Sequence, residues 1–290
     1  MSIQIHTNKI VILNRTNSFY IILFFSSFVL LGQDLKVMTY NIKYDNKKDS
    51  VNNWNDRKEA MVELLEKYRP SFIGMQEVLL DQLEYLDEAL PKYESIGVGR
   101  DDGKQKGEFS PILYNSQKYK LLQSSTFWLS KTPKKVSVGW DAAMERICTY
   151  GLFEDQKTKI NFWVFNTHFD HIGIKARKNS AKLILKKIKD INTDKFPVVL
   201  MGDFNLKPGE KPVQLIKRYM HDGLDFSKTP FQGPKGSFNG FDTEAPIDAR
   251  IDYIFVKGFD VESYIHIDER MDNGKHISDH LPVLINIAPK

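Results

Sequence analysis

Apolar and polar positions along the chain alternate between short apolar runs and longer amphipathic stretches. Residues 37–41 read as a buried strand. Residues 56–68 read as a helix, because Ala60, Met61, Leu64, Leu65 and Tyr68 fall on one face at helical spacing. Residues 71–76 read as strand and 79–90 as a second helix, which Pro91 ends. Strand patterns follow at 94–98, 109–114, 121–129, 147–153 and 160–167. A basic helix is expected at 175–190, a very apolar strand at 197–201 and a helix at 210–220. Strands at 251–256, 261–267 and 281–287 complete the pattern. Strands thus outnumber helices by more than about two to one. Pro and Gly punctuate the loops without leaving a linker, and there is no repeat, so one domain is expected. The mixture fits two central sheets with helices outside better than one doubly wound sheet.

The leading segment breaks this pattern. Residues 1–18 carry Lys9 and Arg15 and no acid, residues 19–31 are apolar except for Ser26 and Ser27, and the first acidic residue is Asp34. A basic start, a short apolar run and then Gly32-Gln33 form a secretory signal pattern. The run is short of the roughly 20 apolar residues of a membrane span. Residues 1–32 are therefore expected to be a signal peptide, residues 33–290 the working domain, and the protein exported to the periplasm or the medium. An uncleaved N-terminal anchor is the alternative.

Composition narrows the chemistry. Of 290 residues about 255 remain after the leader, enough for one large α/β domain with a real core. Cys148 is the only cysteine, which excludes a disulfide framework and a thiolate zinc site. Flanked by Ile147 and Thr149, it reads as a small core residue rather than a nucleophile. The net charge of +4 comes from dispersed lysines. That suits a phosphate-bearing substrate but lacks the dense basic stripe of a dedicated nucleic-acid binder. No stable protein partner is implied, and a monomer is expected.

The informative feature is what stands where the apolar runs stop. Residues 37–40 run into Asn41, residues 72–75 into Gln76-Glu77, and residues 162–165 into Asn166-Thr167-His168-Phe169-Asp170-His171. Residues 198–201 run into Gly202-Asp203-Phe204-Asn205, and Ser278-Asp279-His280 precedes the last strand. Any one Asp or Asn after a strand is ordinarily a turn residue or a helix cap. Several strand ends carrying carboxylate, amide and imidazole together point to one shared crevice. Asp252 lies inside an otherwise apolar strand, where a carboxylate is costly unless paired, and His280 is the obvious partner. Such groups suit phosphate-ester hydrolysis. A hard cation on oxygen ligands such as Glu77 and Asp279 would neutralise the ester. Asp203 could activate water, imidazole could handle the leaving oxygen, and the amides of Asn41 and Asn205 could donate to developing charge.

These residues resemble the endonuclease/exonuclease/phosphatase superfamily across about residues 35–287. The matching motifs are Thr-Tyr-Asn-Ile at 39–42, Gln-Glu at 76–77, Thr-His-Phe-Asp at 167–170, Gly-Asp-Phe-Asn at 202–205, Ile-Asp-Tyr at 251–253 and Ser-Asp-His at 278–280. The resemblance implies a DNase I-like four-layer α/β sandwich, with two mainly antiparallel sheets flanked by helices and one Mg²⁺ or Mn²⁺ ion. By that likeness Glu77 is the main metal ligand, Asp279 a second, and Asn41 a phosphate or metal contact. Asp203 positions or deprotonates water with Asn205 beside it, and Asp252 holds a phosphate-contacting His280. His168 is the second histidine, with Glu108 as the carboxylate that orients it. Some relatives carry an Asp two residues after the first Asn. Here that position is Lys43, which favours one ion over two. Arg146 and Arg177 are added as phosphate-binding candidates because a planar guanidinium matches phosphate oxygens.

A bacterial branch of the family, near its poly(A)-nuclease side, is suggested by residues 166–181. The chain is accordingly expected to be a metal-dependent phosphoesterase, first a nuclease or other phosphodiesterase. A hydrolase of small phosphate esters or lipid headgroups, such as inositol phosphates or sphingomyelin, is the second reading. A phosphate-binding protein that has lost catalysis is the third, and it would require missing ligands that are all present. Fold alone does not choose among substrates.

Overall fold

The order of elements is β1 (Leu35–Asn41), α1 (Trp54–Tyr68), β2 (Phe72–Gln76), α2 (Leu80–Ala89), β3 (Tyr93–Ile96), β4 (Ile112–Asn115), β5 (Tyr119–Trp128) and β6 (Ile147–Asp155). There follow β7 (Asn161–His168), α3 (Ile174–Ile191), β8 (Val198–Asp203), α4 (Lys211–Lys217), β9 (His221–Asp222), β10 (Asp252–Lys257), β11 (Phe259–His266) and β12 (Val283–Pro289). This computed structural model describes residues 35–290. The expected leader at 1–32, and the export inferred from it, lie outside the described residues. All described residues belong to one compact unit.

The strands form two six-stranded sheets, ordered β11-β12-β1-β2-β4-β3 and β5-β6-β7-β8-β10-β9. The sheets pack face to face with helices outside, which is the expected four-layer α/β sandwich. The period-2 geometry of a strand sorts each apolar run onto two faces. Val37, Phe72, Val199 and Ile254 point into the core between the sheets. Their neighbours Met38 and Ile73 face α1 and α2, while Val198, Leu200 and Phe255 face α3 and α4. Because both faces are covered, the strands read as unbroken apolar runs rather than alternating ones.

Among the described residues only two strand pairs are parallel, β1 with β2 and β7 with β8. Each is closed by a crossover helix, α1 and α3, as parallel pairing requires. The carboxyl ends of these four strands carry Asn41, Gln76, His168 and Asp203. The antiparallel neighbour β10 sets Asp252 opposite Asp203 in register. Two glycines make the close approach possible. A Cβ on Gly74 would lie 2.7 Å from the Asn166 amide oxygen, and one on Gly202 1.9 Å from the Thr167 carbonyl. In the space so freed, the Gln76 amide donates to Asn166 Oδ1 at 2.7 Å, and Asn166 donates to the Met75 and Pro111 carbonyls at 2.7 and 2.8 Å. This buried relay ties one sheet to the other directly beneath the crevice.

Departures from expectation are local. The helix expected at 210–220 is shorter, because after Lys217 the chain tightens into i→i−3 bonds that turn Met220 into the core. The two-residue β9 is too short to leave a periodic signal. It is fixed by tertiary contact, since Arg250 forks onto both oxygens of buried Asp222 at 3.0 and 2.8 Å. That pair clamps the chain just before Asp252. Among the described residues no helix is long and apolar enough to cross a membrane.

Candidate active site

At the sheet edge the strand-end residues meet in one network. Asn41 is its hub, because its amide nitrogen donates to Glu77 Oε1 and to Asp203 Oδ2, each at 3.1 Å. Its own oxygen accepts from the Lys43 backbone at 3.1 Å, which fixes the amide's orientation. Asp203 Oδ1 accepts the Asn205 N–H at 2.8 Å. The Asn205 side chain donates to the Phe169 carbonyl at 3.0 Å and lies 3.2 Å from His168 Nε2. On the other flank His280 Nδ1 donates to Asp252 Oδ2 at 2.8 Å, and Ser237 Oγ donates to the same oxygen at 2.6 Å. His280 Nε2 faces Asp203 Oδ2 at 3.7 Å. Glu77, Lys43 and Asn205 all hold positive φ, of 59°, 59° and 49°. Non-glycine residues adopt that region at a cost of about 1–3 kcal/mol, typically where a site must hold a side chain in one direction.

The two histidines are driven to opposite charge states. Burial lowers the affinity of His168 for a proton, and the nearby Arg146 and Arg100 guanidiniums lower it further, well below the usual histidine value. Its Nε2 accepts from Asn205, so the ring is neutral with its proton on Nδ1, toward Glu108 Oε2 at 4.0 Å. Burial also opposes charge on His280, but the Asp252 charge and hydrogen bond outweigh it and push the pKa up to about 10. His280 is therefore an imidazolium at neutral pH, with an Nε2–H free to donate. Asp203 is pushed up to about 7, by burial and then by the Asp252 charge, with His280 pulling the other way. Groups whose surroundings separate their pKa values in this way are suited to distinct acid and base roles.

Two acidic groupings flank Asn41. The ligand atoms of Asp203, Asp252 and His280 lie within 4.8 Å of one another, a buried cluster consistent with a divalent-metal site. Within it, however, Asp252 and His280 already satisfy each other. Glu77 and Asp279 form the second grouping, and the Lys43 ammonium sits between them at 3.5 and 3.3 Å. One positive charge against two carboxylates leaves the hard, all-oxygen, net negative surroundings that a divalent cation fits. Burial raises the Glu77 pKa, but Lys43, His280 and the Asn41 hydrogen bond together bring it below the usual carboxylate value.

The remaining expected residues divide. Arg146 is buried beside the crevice, with Nε 3.4 Å from Asp170 Oδ2 and Nη2 3.1 Å from His171 Nδ1. Arg177 is not on a solvated helix face, because its Nη1 donates to the Asp170 carbonyl at 3.1 Å and braces the loop after β7. Glu108, expected to orient His168, lies 4.0 Å from its Nδ1, and both its oxygens are taken by Arg100, at 2.7 and 2.9 Å. A carboxylate offers phosphate no donor, so Glu108 acts on the crevice through Arg100 and His168. Sequence reasoning missed Arg100, Ser237 and the half-exposed Phe238, whose ring meets His280 edge-on at 5.0 Å. None of the three sits in a motif or at a strand end that would have marked it.

Buried neutral histidines have a consequence for acid stability. His266, like His168, is lowered by burial and stays neutral when folded. Below the unfolded value of about 6.5 the unfolded chain takes up protons that the folded protein refuses. Stability is thus complete above that pH and falls below it, by up to about 1.4 kcal/mol per pH unit for each such histidine. His280 has the opposite sign. Its contribution is complete below about 6.5 and disappears only as pH rises through its folded value of about 10. Asp203 and His280 gain stability over the same interval, so the effect is read as a difference: from pH 7.5 to 5.5 the urea midpoint of wild type should decline relative to that of a His266→Gln variant, and parallel profiles would contradict the neutral assignment.

A structure from Bacteroides vulgatus, an endonuclease/exonuclease/phosphatase, is 38% identical, with a TM-score of 0.84 over 89% of this chain and 100% of that one. The mannosyl-6-phosphatase of Bacteroides thetaiotaomicron is 36% identical, with a TM-score of 0.84 over 88% of this chain and 99% of that one. The yeast protein named "Probable RNA exonuclease NGL3" is 28% identical over 207 residues, 64% of this chain and 40% of that one. Residues 38–280, which span every crevice residue from Asn41 to His280, match the Endonuclease/Exonuclease/phosphatase family, and the chain belongs to that family of phosphoesterases.

Proposed function

We propose that this protein is a divalent-metal-dependent hydrolase of small phosphate esters, with a phosphorylated sugar as the substrate class. The observation that carries the reading is the single hydrogen-bonded network in which Asn41 joins Glu77 to Asp203. Glu77 and Asp279, with the Asn41 amide beside them, would hold one ion, and Lys43 fills the place of a further acidic ligand. The ion, when bound, would neutralise the ester's charge and stabilise the leaving oxygen.

The chain's own groups supply the rest. Asp203, aligned by two N–H donors, orients the attacking water and accepts its proton. His280, held cationic by Asp252, donates Nε2–H to a non-bridging oxygen as negative charge grows. Neutral His168 and the Asn205 amide line the opposite wall and fix the phosphorus for in-line attack. The sugar-phosphate assignment is supported by the 36% identity to the mannosyl-6-phosphatase across nearly its whole length. The nuclease-named yeast relative matches over less than half of its own. Nucleic acid, the first expectation from sequence, becomes the second reading.

The test is hydrolysis of hexose 6-phosphates, single-stranded RNA and DNA by residues 34–290, with Mg²⁺, Mn²⁺ or EDTA. Release of inorganic phosphate from the sugars, abolished by EDTA, is the expected result. Faster cleavage of RNA would transfer the assignment to the nuclease reading. In the same assay Glu77→Gln should raise the Mg²⁺ concentration for half-maximal rate by at least about tenfold. That is the scale of effect seen even for groups that only support metal ligands. An unchanged Mg²⁺ requirement would remove Glu77 from the ligand set.

A further inference from the structure

At the end of the domain opposite the crevice lies a groove of about 880 Å³ that the proposed chemistry does not use. Its floor is apolar, built from Leu185 and Ile188 of α3, Phe196 and Pro197 before β8, and Leu215 and Met220 around α4. Five lysines stand round it, Lys182, Lys186, Lys189, Lys195 and Lys257, and no carboxylate lines it. Lys182, Leu185, Lys186 and Lys189 recur at i, i+3, i+4 and i+7, so one face of α3 brings apolar carbon and ammonium together. The neighbouring face, through Ala181 and Ile184, packs into the core. Among the described residues only Lys186 of the five lysines has an ion-pair partner, Asp190. Tyr219, which also lines the groove, is 61% exposed.

The groove is preformed. Asn192 Oδ1 accepts the Phe196 N–H at 2.8 Å and its Nδ2 donates to the Phe196 carbonyl at 2.7 Å, which holds that turn closed. Gly258, at a φ of 77°, lets the turn after β10 pass so near Pro197 that a Cβ would lie 3.2 Å from it. β8 and β10 cover about 17 Å between the groove and the pair Asp203 and Asp252. The chain enters the domain at this same end. β1 begins at Leu35, opposite Ile287, and the Lys290 N–H donates to the Gly258 carbonyl at 3.1 Å. The apolar residues 19–31 are therefore joined to the domain at the groove end.

We propose that this groove docks the protein on an anionic phospholipid bilayer, with the active site turned away from the lipid. An acyl chain lies along the apolar floor, and headgroup phosphates sit among the ammoniums. Lysine stems cover apolar surface while their charged heads reach outward, an arrangement suited to a lipid–water boundary. Tyrosine favours the same boundary. Nucleic acid is held by charge and by stacking on aromatic rings, and an aliphatic floor serves neither. An acidic helix would meet the same lysines, but the apolar segment joined at this end favours lipid. Docked in this way, the crevice stays open to soluble phosphate esters. The inference does not depend on the hydrolase reading.

The experiment is sedimentation of residues 34–290, which lie within one compact unit, with phosphatidylcholine vesicles containing or lacking phosphatidylglycerol. Binding to the phosphatidylglycerol vesicles, weakened by salt, is the expected result. Each lysine near an anionic surface changes partitioning by about fivefold, so Lys189→Gln/Lys257→Gln should bind at least about tenfold more weakly. Lys104→Gln/Lys106→Gln removes the same charge from the exposed loop after β3. That pair should bind within about twofold of wild type. Tyr219→Ser should weaken the part of the binding that survives high salt, since that part is apolar. Hydrolysis of a soluble phosphate monoester should be unchanged in all three variants. Vesicle binding is read without turnover, so failure of the hydrolase reading leaves this test intact. No binding to phosphatidylglycerol vesicles, equal binding to both vesicle types, or equal losses in the two lysine pairs overturns the proposal. Binding to a glutamate-rich amphipathic peptide, with both vesicle types left unbound, overturns it in favour of a protein partner.

Discussion

Asp203→Asn should lower kcat by about 10²- to 10⁴-fold, the range for a positioned general base, while leaving the protein folded. The amide keeps an oxygen for the Asn205 N–H, so the turn after β8 survives. It loses the negative charge and the proton-accepting capacity that the attacking water needs. It also sets an N–H against the Asn41 amide, where Oδ2 now accepts at 3.1 Å, a small structural penalty. Against that penalty stands the relief of a buried carboxylate whose pKa is held at about 7 by burial and by Asp252. At pH 8 the wild-type fold carries that unfavourable charge and the variant does not. Unfolding free energy should therefore stay within about 1 kcal/mol of wild type. Steady-state kinetics on a phosphate monoester and urea unfolding, run on the same preparation, check both parts. Full turnover in the variant would remove Asp203 from the water-activating role. A collapse in stability would mean that the group is structural.

Arg57→Met should destabilise the protein by about 3–5 kcal/mol, although Arg57 touches no proposed reacting group. Arg57 lies in α1 and is 1% exposed, and among the described residues it has no carboxylate partner within hydrogen-bonding distance. Its guanidinium donates instead to the carbonyls of Asn52 at 2.9 Å, Ile42 at 2.9 Å, Ile277 at 2.8 Å and Lys43 at 3.2 Å. Burial lowers its proton affinity, and the Asp279 charge opposes that effect. Methionine would roughly fill the volume but leave these carbonyls inside the protein without donors. The same carbonyls belong to the segments that carry Lys43 and lead into Asp279, so the variant should also need more Mg²⁺ for half-maximal rate. Urea unfolding and a Mg²⁺ titration test the pair of effects. A loss under about 1 kcal/mol with an unchanged titration would show that water readily replaces the guanidinium.

The depth to which the sequence could be read follows the range of the interactions involved. Apolar runs of five to seven residues, such as those at 37–41 and 197–201, identified buried strands because burial on both faces is a local compositional property. The spacing of Met61, Leu64 and Leu65 identified α1 for the same reason. The polar residues that stop these runs, from Asn41 through His280, were legible because a strand leaving a core must present its end groups somewhere. Asp252 could be singled out, and His280 named as its partner, because an isolated carboxylate in an apolar strand is physically untenable. The two-residue β9, the shortened α4 and the Arg250–Asp222 clamp left no comparable mark.

The sequence by itself determined the layered α/β class, the strand ends that carry chemistry and the acid, amide and imidazole types available there. Tertiary structure alone decided how they combine. Asn41 and Asp203 are 162 residues apart and meet at 3.1 Å, a contact that no local pattern encodes. The opposite charge states of His168 and His280 were equally out of reach. A histidine's proton affinity is set by burial and by the neighbours that distant segments bring to it, here Arg146 and Arg100 on one side and Asp252 on the other. Periodicity is a property of neighbouring residues, whereas electrostatics in a crevice belongs to the whole packed assembly.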